Sequence, residues 1–433
     1  MSVVAFLAAL VLCALLGRGW LRWLAGGGEG RGFRAGLAIA AGIVTLHLTL
    51  TALQLAGLPW RRGWLLAAAA LCVLLTWRLP RPLPPSPAAG PPALEWGSAL
   101  AAAAVLGFAV FAWRLWILFP DFIYHWGIKA QKFVLAGGVD HDYLARPWNW
   151  RIHPDYPNLL PELSAVTAIV GGGFREPAAM LWSPLFLALA TVGVRQSLIA
   201  GGAARFTIEA GTASFAAAAA AFGIGYRMGG AADWAMAAAL ALAAPALLRP
   251  PRPETDAQIG LAAALGAGAK IEGVALASLL VAAQLLRRWL HDRRIGARTL
   301  AAIGLPPALV IAAWLWGCLR HGLFLPTNAG LPSPGRALPL LRAYADALLL
   351  GPWHGFDLVA LGVPPLLLLS RRLRPLAAVA VLQLVFYSYV YLSAPLALEV
   401  FVPSNFPRLL LHLLPAAMAG GLLALEQRRP ELA

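Results

Sequence analysis

"AQIGLAAALGAGAKIEGVALASLLVAAQLL", residues 257–286, is a run of small and aliphatic residues with Lys270 and Glu272 near its centre. As one membrane-crossing helix it would hold two ions at mid-bilayer, each costing about 2.5–3.5 kcal/mol on insertion scales. It would also leave the basic stretches "RPPRPETD" (249–256) and "RRWLHDRRIGAR" (287–298) on opposite sides of the membrane. A hairpin of two short spans turning at "GAKIEG" keeps both stretches on one side and brings both ions to the other surface. The sequence therefore predicts a hairpin, with spans at 258–269 and 273–289.

The rest of the chain repeats the pattern. Of its 433 residues, 60% are hydrophobic and only 12% charged, about half the charged share of a soluble domain. Further apolar stretches lie at 2–17, 35–57, 64–77, 98–118, 176–197, 206–226, 233–248, 299–319, 353–370, 376–394 and 408–425. The expected fold is an all-α polytopic membrane protein with about 13 transmembrane helices. The net charge of +15 would suggest nucleic acid in a soluble protein, but its placement points elsewhere. Seven loops between alternate spans hold 20 of the 34 basic residues against 7 acids. Such loops stay in the cytoplasm, so the N-terminus is expected outside and the C-terminus inside, with no nucleic-acid partner. "LPWRRG" (58–63) breaks this rule. Cys13, Cys72 and Cys318 all fall in apolar spans, so neither a disulfide nor a CxxC-type metal site is expected. No basic segment precedes the first span, so no cleaved signal peptide is expected. There is no internal repeat, and 79–92 reads as a Pro-rich cytoplasmic linker.

Chemistry collects in the loops expected to face out, 119–175, 227–232, 320–352 and 395–407. In "FPDFIYHWGIKAQKF" (119–133), Asp121, His125, Lys129 and Lys132 recur at spacings of three and four, one face of a helix. Phe122, Trp126 and Phe133 fall on another side. This predicts an amphipathic helix on the membrane surface, apolar face in lipid. "WNWRIHPDYPNLLPEL" sets His153, Asp155 and Tyr156 in a Pro-punctuated turn, and 159–170 is expected to dip into the interface as a second juxtamembrane helix. Asp233 opens the span at 233, where a helix cap would also account for it. Arg408 and His412 are four apart at the outer end of the last span, where Arg408 reads as a snorkelling arginine or an anion ligand. Only three of the 34 basic residues are lysine, namely Lys129, Lys132 and Lys270, and all lie in these segments. A lysine's compact ammonium differs in hydration and pKa from a guanidinium.

In order, "PDFIYHWGIKAQKFVLAGG", "HPDYPNLLP", "GGAADWAMAAAL", "GAKIEG" and "RLLLHLLP" resemble the GT-C superfamily of membrane glycosyltransferases, in its bacterial family-39-like (mannosyltransferase and aminoarabinose-transferase) branch. The resemblance runs from about 98 to 425. It makes 98–433 the GT-C-like catalytic core, with 119–175 as its outer loop and 1–97 as a three-span extension. It departs from the family in a single acid at Asp121, where many members pair two, and in Ile271 where Asn is usual. The resemblance implies transfer of a sugar, with inversion, from a polyprenyl-phosphate carrier to an acceptor glycan, glycolipid or protein. Asp121 and Asp233 would be the catalytic carboxylates, Asp121 as base and Asp233 holding sugar or acceptor. Tyr124, His125 and Lys129 would shape the sugar and phosphate site. Lys270 and Arg408 would bind phosphate, with Glu272 orienting the lysine and His412 beside Arg408. His153 and Tyr156 would line the entrance. No cofactor is expected, and metal dependence stays open. The setting would be a bacterial inner membrane with the site facing the periplasm. A transporter or lipid flippase, with Lys270, Glu272 and Asp233 as pathway charges, is the alternative. A scaffold for an envelope assembly is the third reading.

Overall fold

Lys270 ends one helix and begins the next. In the computed structural model its backbone is extended, with φ −153° and ψ 167°, between helices Pro253–Ala269 and Ile271–Asp292. The two helices fold back on each other because Gly266 and Gly273 meet at their crossing. A Cβ on Gly273 would lie 1.8 Å from the Gly266 carbonyl oxygen. The hairpin is as the charge pattern demanded.

The structure describes residues 2–26, 29–78, 95–323, 330–350, 354–394 and 397–428, so the Pro-rich stretch 79–92 lies outside the described residues. Helices of ten or more residues, in chain order, are α1 (Ser2–Arg18), α2 (Arg31–Leu55), α3 (Arg62–Arg78), α4 (Trp96–Arg114), α5 (Gly127–Ala136), α6 (Leu159–Gly171), α7 (Trp182–Gly201) and α8 (Arg205–Gly225). They continue with α9 (Asp233–Leu248), α10 (Pro253–Ala269), α11 (Ile271–Asp292), α12 (Ala297–His321), α13 (Ala337–Leu350), α14 (His354–Leu367), α15 (Arg374–Ser393) and α16 (Leu398–Arg428). Among the described residues each of the thirteen apolar stretches is largely helical, and eight helical segments are long and apolar enough to cross a membrane. The chain is an all-helical protein of bilayer character, and the described residues contain no strand.

One hydrophobic core runs through the bundle. It takes in Leu37 and Leu46 of α2, Leu163 of α6, Trp182 of α7 and almost every residue of α9. A helix apolar on all sides belongs at the centre of its bundle, and α9 occupies that place. The first helices share this core: α1 crosses α2 at Gly17 and Gly42, where a Cβ would stand within 1.7 Å of a facing carbonyl oxygen. Large apolar side chains such as Leu71, Leu74, Leu106 and Val110 remain exposed on α3 and α4, as a lipid-facing surface requires.

Buried charge is sorted to the two ends of the bundle. At one end Arg288 forks onto Asp256 and reaches Asp292, Arg249 pairs with Glu29, and Arg195 bridges Glu209 and Glu95. These pairs tie neighbouring helices, each charge set against an opposite one, the condition under which a buried charge is tolerated.

Three expectations need correction. The apolar face of the 119–133 segment does not enter lipid: Phe122, Trp126 and Phe133 are buried against the protein. Residues 159–168 are not laid against lipid either. Leu159 to Ala168 are all buried inside the bundle, since a helix this apolar on every side finds more contact there. Finally, α16 starts at Leu398 and runs unbroken through Pro403 and Pro407, so most of the expected outer loop 395–407 is helix. Transmembrane helices accommodate proline where neighbours and local adjustments meet the freed carbonyls.

Candidate functional site

The opposite end of the bundle gathers a different set of charges. Asp121 sits at the start of a π-helical turn, Phe122–Trp126, that leads into α5. Such wide turns recur at functional sites. The turn of chain before α9 lies directly against it. A Cβ on Gly229 would stand 2.7 Å from the Phe119 ring, and one on Gly230 2.6 Å from Phe122. Gly230 also needs its positive φ of 70° and donates its N–H to Ser183 Oγ at 2.7 Å. Two glycines thus let the Asp121 segment approach the start of α9, where Asp233 is the first residue.

Asp233 is not the cap of its helix; Ala232 holds that position without a side-chain bond. Its carboxylate, fully buried, collects three partners instead. Oδ1 accepts from Lys270 Nζ at 3.2 Å and lies 3.0 Å from His412 Nε2, and Oδ2 accepts from Arg408 Nη2 at 2.9 Å. Arg408 forks onto both oxygens of Asp121 as well, with Nη1 to Oδ1 at 3.2 Å and Nη2 to Oδ2. Lys270 Nζ also lies 3.5 Å from Glu272 Oε1. Arg408 and His412, one turn apart on α16, therefore face the α9 start and the α10–α11 turn together.

The two carboxylates differ in access. The Asp233 side chain is 1% exposed, against 19% for Asp121 and 22% for Arg408. Asp121 and Arg408 form the accessible edge, whereas Asp233 is an internal counter-ion for three groups. A carboxylate so enclosed is placed to orient its neighbours.

Beside Asp121 runs a row of rings. His125 lies 5.3 Å from His153, which stacks on Tyr156 at 4.5 Å, and Tyr156 stands 6.1 Å from Trp126. His153 has a left-handed backbone, φ 53°, uncommon for a residue with a side chain. Lys129 holds that turn by donating Nζ to the His153 carbonyl. Burial pushes the Lys129 ammonium down to about 7, opposed by the negative charge of Asp155. Burial pushes His153 down to about 3, with the neighbouring His125 and Lys129 adding to it. Burial also lowers His125 and raises the Tyr156 phenol. Both histidines are therefore neutral near pH 7.

Of the residues singled out in the sequence, Asp121, Asp233, Lys270, Glu272, Arg408 and His412 come together, with His125, Lys129, His153 and Tyr156 alongside. Tyr124 does not join them: it is 66% exposed on the outer side of the π turn. Lys132 is also apart, its Nζ 5.1 Å over the Tyr143 ring.

The sequence reading missed the polar side chains of α15. Its Gln383, Tyr387 and Tyr391 are spaced four apart and buried. Tyr387 Oη is 2.6 Å from His412 Nδ1, and Gln383 Nε2 donates to the Glu272 carbonyl at 3.1 Å. The signal was present in "LQLVFYSYVYL" (382–392), a polar stripe at helical spacing inside an apolar span.

Four buried polar atoms in this region have no hydrogen-bond partner within the protein: Glu272 Oε2, Gln383 Oε1, Tyr391 Oη and His125 Nδ1. A buried polar atom left unpaired costs about 1–3 kcal/mol, so four within one region mark a place where something else supplies partners. Among the described residues no three His, Cys, Asp or Glu side chains gather as metal ligands; Asp121 and Asp233 face Arg408 and Lys270. Set against protein-family models, curated proteins and solved structures, the chain matches none.

Proposed function

We propose that this cluster is the active site of a polyprenyl-phosphate-dependent glycosyltransferase of GT-C type, built on thirteen membrane spans with the cluster on the periplasmic side of a bacterial inner membrane. The observation that carries the reading is the pairing of an accessible carboxylate, Asp121, with a guanidinium that is itself anchored from behind by Asp233. A second cation, Lys270, is held by the same anchor. Arg408 and Lys270 are thereby preorganised for an anion at the end of a bundle whose flanks are lipid-facing, which suits a lipid phosphate.

In this reading the phosphate of the donor takes the place of Asp121 on the outer edge of Arg408. That exchange releases the Asp121 carboxylate to act as base. The acceptor hydroxyl oxygen forms a bond to the anomeric carbon while the bond from that carbon to the phosphate oxygen breaks. The proton passes to Asp121, and the electron pair leaves on polyprenyl phosphate, stabilised by Arg408 and Lys270. Attack opposite the leaving group gives inversion. His125, His153 and Tyr156, neutral and ring-shaped, offer stacking and hydrogen bonds to the sugar. The order of motifs along the chain, which resembles the GT-C glycosyltransferases, supports the same assignment.

The test is transfer of radiolabelled sugar from polyprenyl carriers by protein held in nanodiscs. Wild type transfers label, whereas Asp121→Asn, folded and equally expressed, loses transfer by about a thousandfold or more, the scale of a lost general base with a lost ground-state partner. Near wild-type transfer by that variant would overturn the assignment. Counterflow of substrate across proteoliposomes without transfer would favour a transporter.

A further inference from the structure

A cavity lies away from Asp121, between α2, α12 and the 139–158 segment. Its volume is about 50 Å³, and His47, His141, Asn158, Glu162, Trp314 and Trp316 line it. At 10–15 Å³ per water-sized group, that is room for a few such groups. His47 Nδ1 lies 2.5 Å from Glu162 Oε2, both side chains almost fully buried, so the carboxylate fixes the ring and leaves Nε2 over. That Nε2 has no partner within the protein, nor do His141 Nδ1 and Asn158 Oδ1. One unpaired buried atom thus comes from α2, one from the outer segment and one from the approach to α6. His141 stacks on His321 at 3.9 Å, and burial beside that second ring pushes His141 down to about 4, so it is present as neutral imidazole.

We infer that this cavity is a second binding site, taking the hydroxyl-bearing edge of an uncharged sugar. The lining dictates the class. No lysine or arginine lines the cavity, and its one carboxylate, Glu162, is already paired with His47, so the lining offers no cation to hold a phosphate or carboxylate. Three lining side chains carry unpaired polar atoms, which a hydroxyl-bearing occupant would satisfy and a purely apolar one would not. Trp314 and Trp316 add flat apolar faces beside these polar groups, the mixture that a sugar presents in mirror image. Trp314 is held in place by donating its indole N–H to the Asp155 carbonyl at 2.8 Å. The turn at 153–155 is a wall common to both sites, since Pro154 lines the cavity while His153 stacks beside Asp121's row of rings. The assignment stands on these residues and does not depend on the polyprenyl reading of the other cluster.

Saturation-transfer NMR tests it, using methyl α-mannopyranoside, methyl β-glucopyranoside and inorganic phosphate as probes. The full chain is held in lipid nanodiscs free of sugar detergents. At least one glycoside receives saturation in the wild type, and phosphate does not compete for it. Glu162→Gln and His47→Phe each weaken glycoside binding about tenfold, the loss of one well-made hydrogen bond to a charged or fixed partner. If either variant fails to fold, His141→Phe, outside the His47–Glu162 pair, carries the same expectation. Water alone in the cavity would give no glycoside signal, and that result overturns the inference. A glycoside signal that ignores all three substitutions, or that phosphate displaces, overturns it as well. Because binding is read without turnover, a transferase that fails its own test leaves this result interpretable.

Discussion

Arg408 and Lys270 each carry a charge at the boundary of an apolar bundle, and Asp233 is the group that makes this tolerable. Removing one partner from a buried set leaves an uncompensated ion, typically a loss of about 3–5 kcal/mol. Lys270→Met should therefore lower thermal stability by about that amount, and Lys270→Met with Asp233→Asn should recover part of it. Additive losses in the double variant would contradict the role given to Asp233. Lys129 makes a different prediction. Its folded-state pKa is lowered to about 7 from 10.5, so between those values the unfolded chain binds a proton that the folded chain does not. Stability from this residue then rises as pH climbs from about 7 to 10.5 and is least below 7. The melting temperature of wild type should gain on that of Lys129→Met across this range, and parallel curves would refute it. The residue types were legible in the sequence: all six of the clustered side chains are ionisable groups in an otherwise apolar chain, and Lys270, with Lys129 alongside, is among its three lysines. Their division of labour was not. Whether Asp233 or Asp121 faced solvent depended on packing around α9, which spacing does not encode.

At the level of elements, the hairpin is where sequence and structure meet most directly. Two ions in the middle of a thirty-residue, mostly apolar stretch left no inexpensive straight helix, and Lys270 is extended as that argument required. What the pattern did not reveal is how close the two arms come. Gly266 and Gly273 let the arms touch, and that contact holds Lys270 and Glu272 at the end of the bundle. Gly273→Val should part the arms, lowering the melting temperature and reducing sugar transfer at least tenfold, although Gly273 contributes no side chain to the site. Retained stability together with retained transfer would show that the crossing does not position the site. The 119–133 segment shows the opposite outcome. Its helical spacing was readable, but an apolar face says only that it avoids water, and here it found protein where lipid had been expected. For α15, a polar stripe lay in plain view and was outweighed by the hydropathy around it.

For the whole molecule, burial and charge divide the bundle into two ends of different character. One end is closed by arginine–carboxylate pairs that tie helix to helix. The other holds Asp121, Arg408, Asp233 and Lys270 with four buried polar atoms unpaired nearby. This asymmetry suits a site that works from one side of a membrane; charges at mid-depth would suit a passage through it. The central claim is that Arg408 and Lys270 hold a lipid phosphate in front of Asp121. It is tested most directly by cryo-electron microscopy of the protein in nanodiscs with added polyprenyl phosphate. The account predicts phosphate density within hydrogen-bonding distance of Arg408 and Lys270, with the Asp121–Arg408 fork opened and the polyprenyl chain leaving between helices into lipid. Phosphate bound elsewhere while that fork stays closed, or a cavity opening alternately to the two ends, would contradict it.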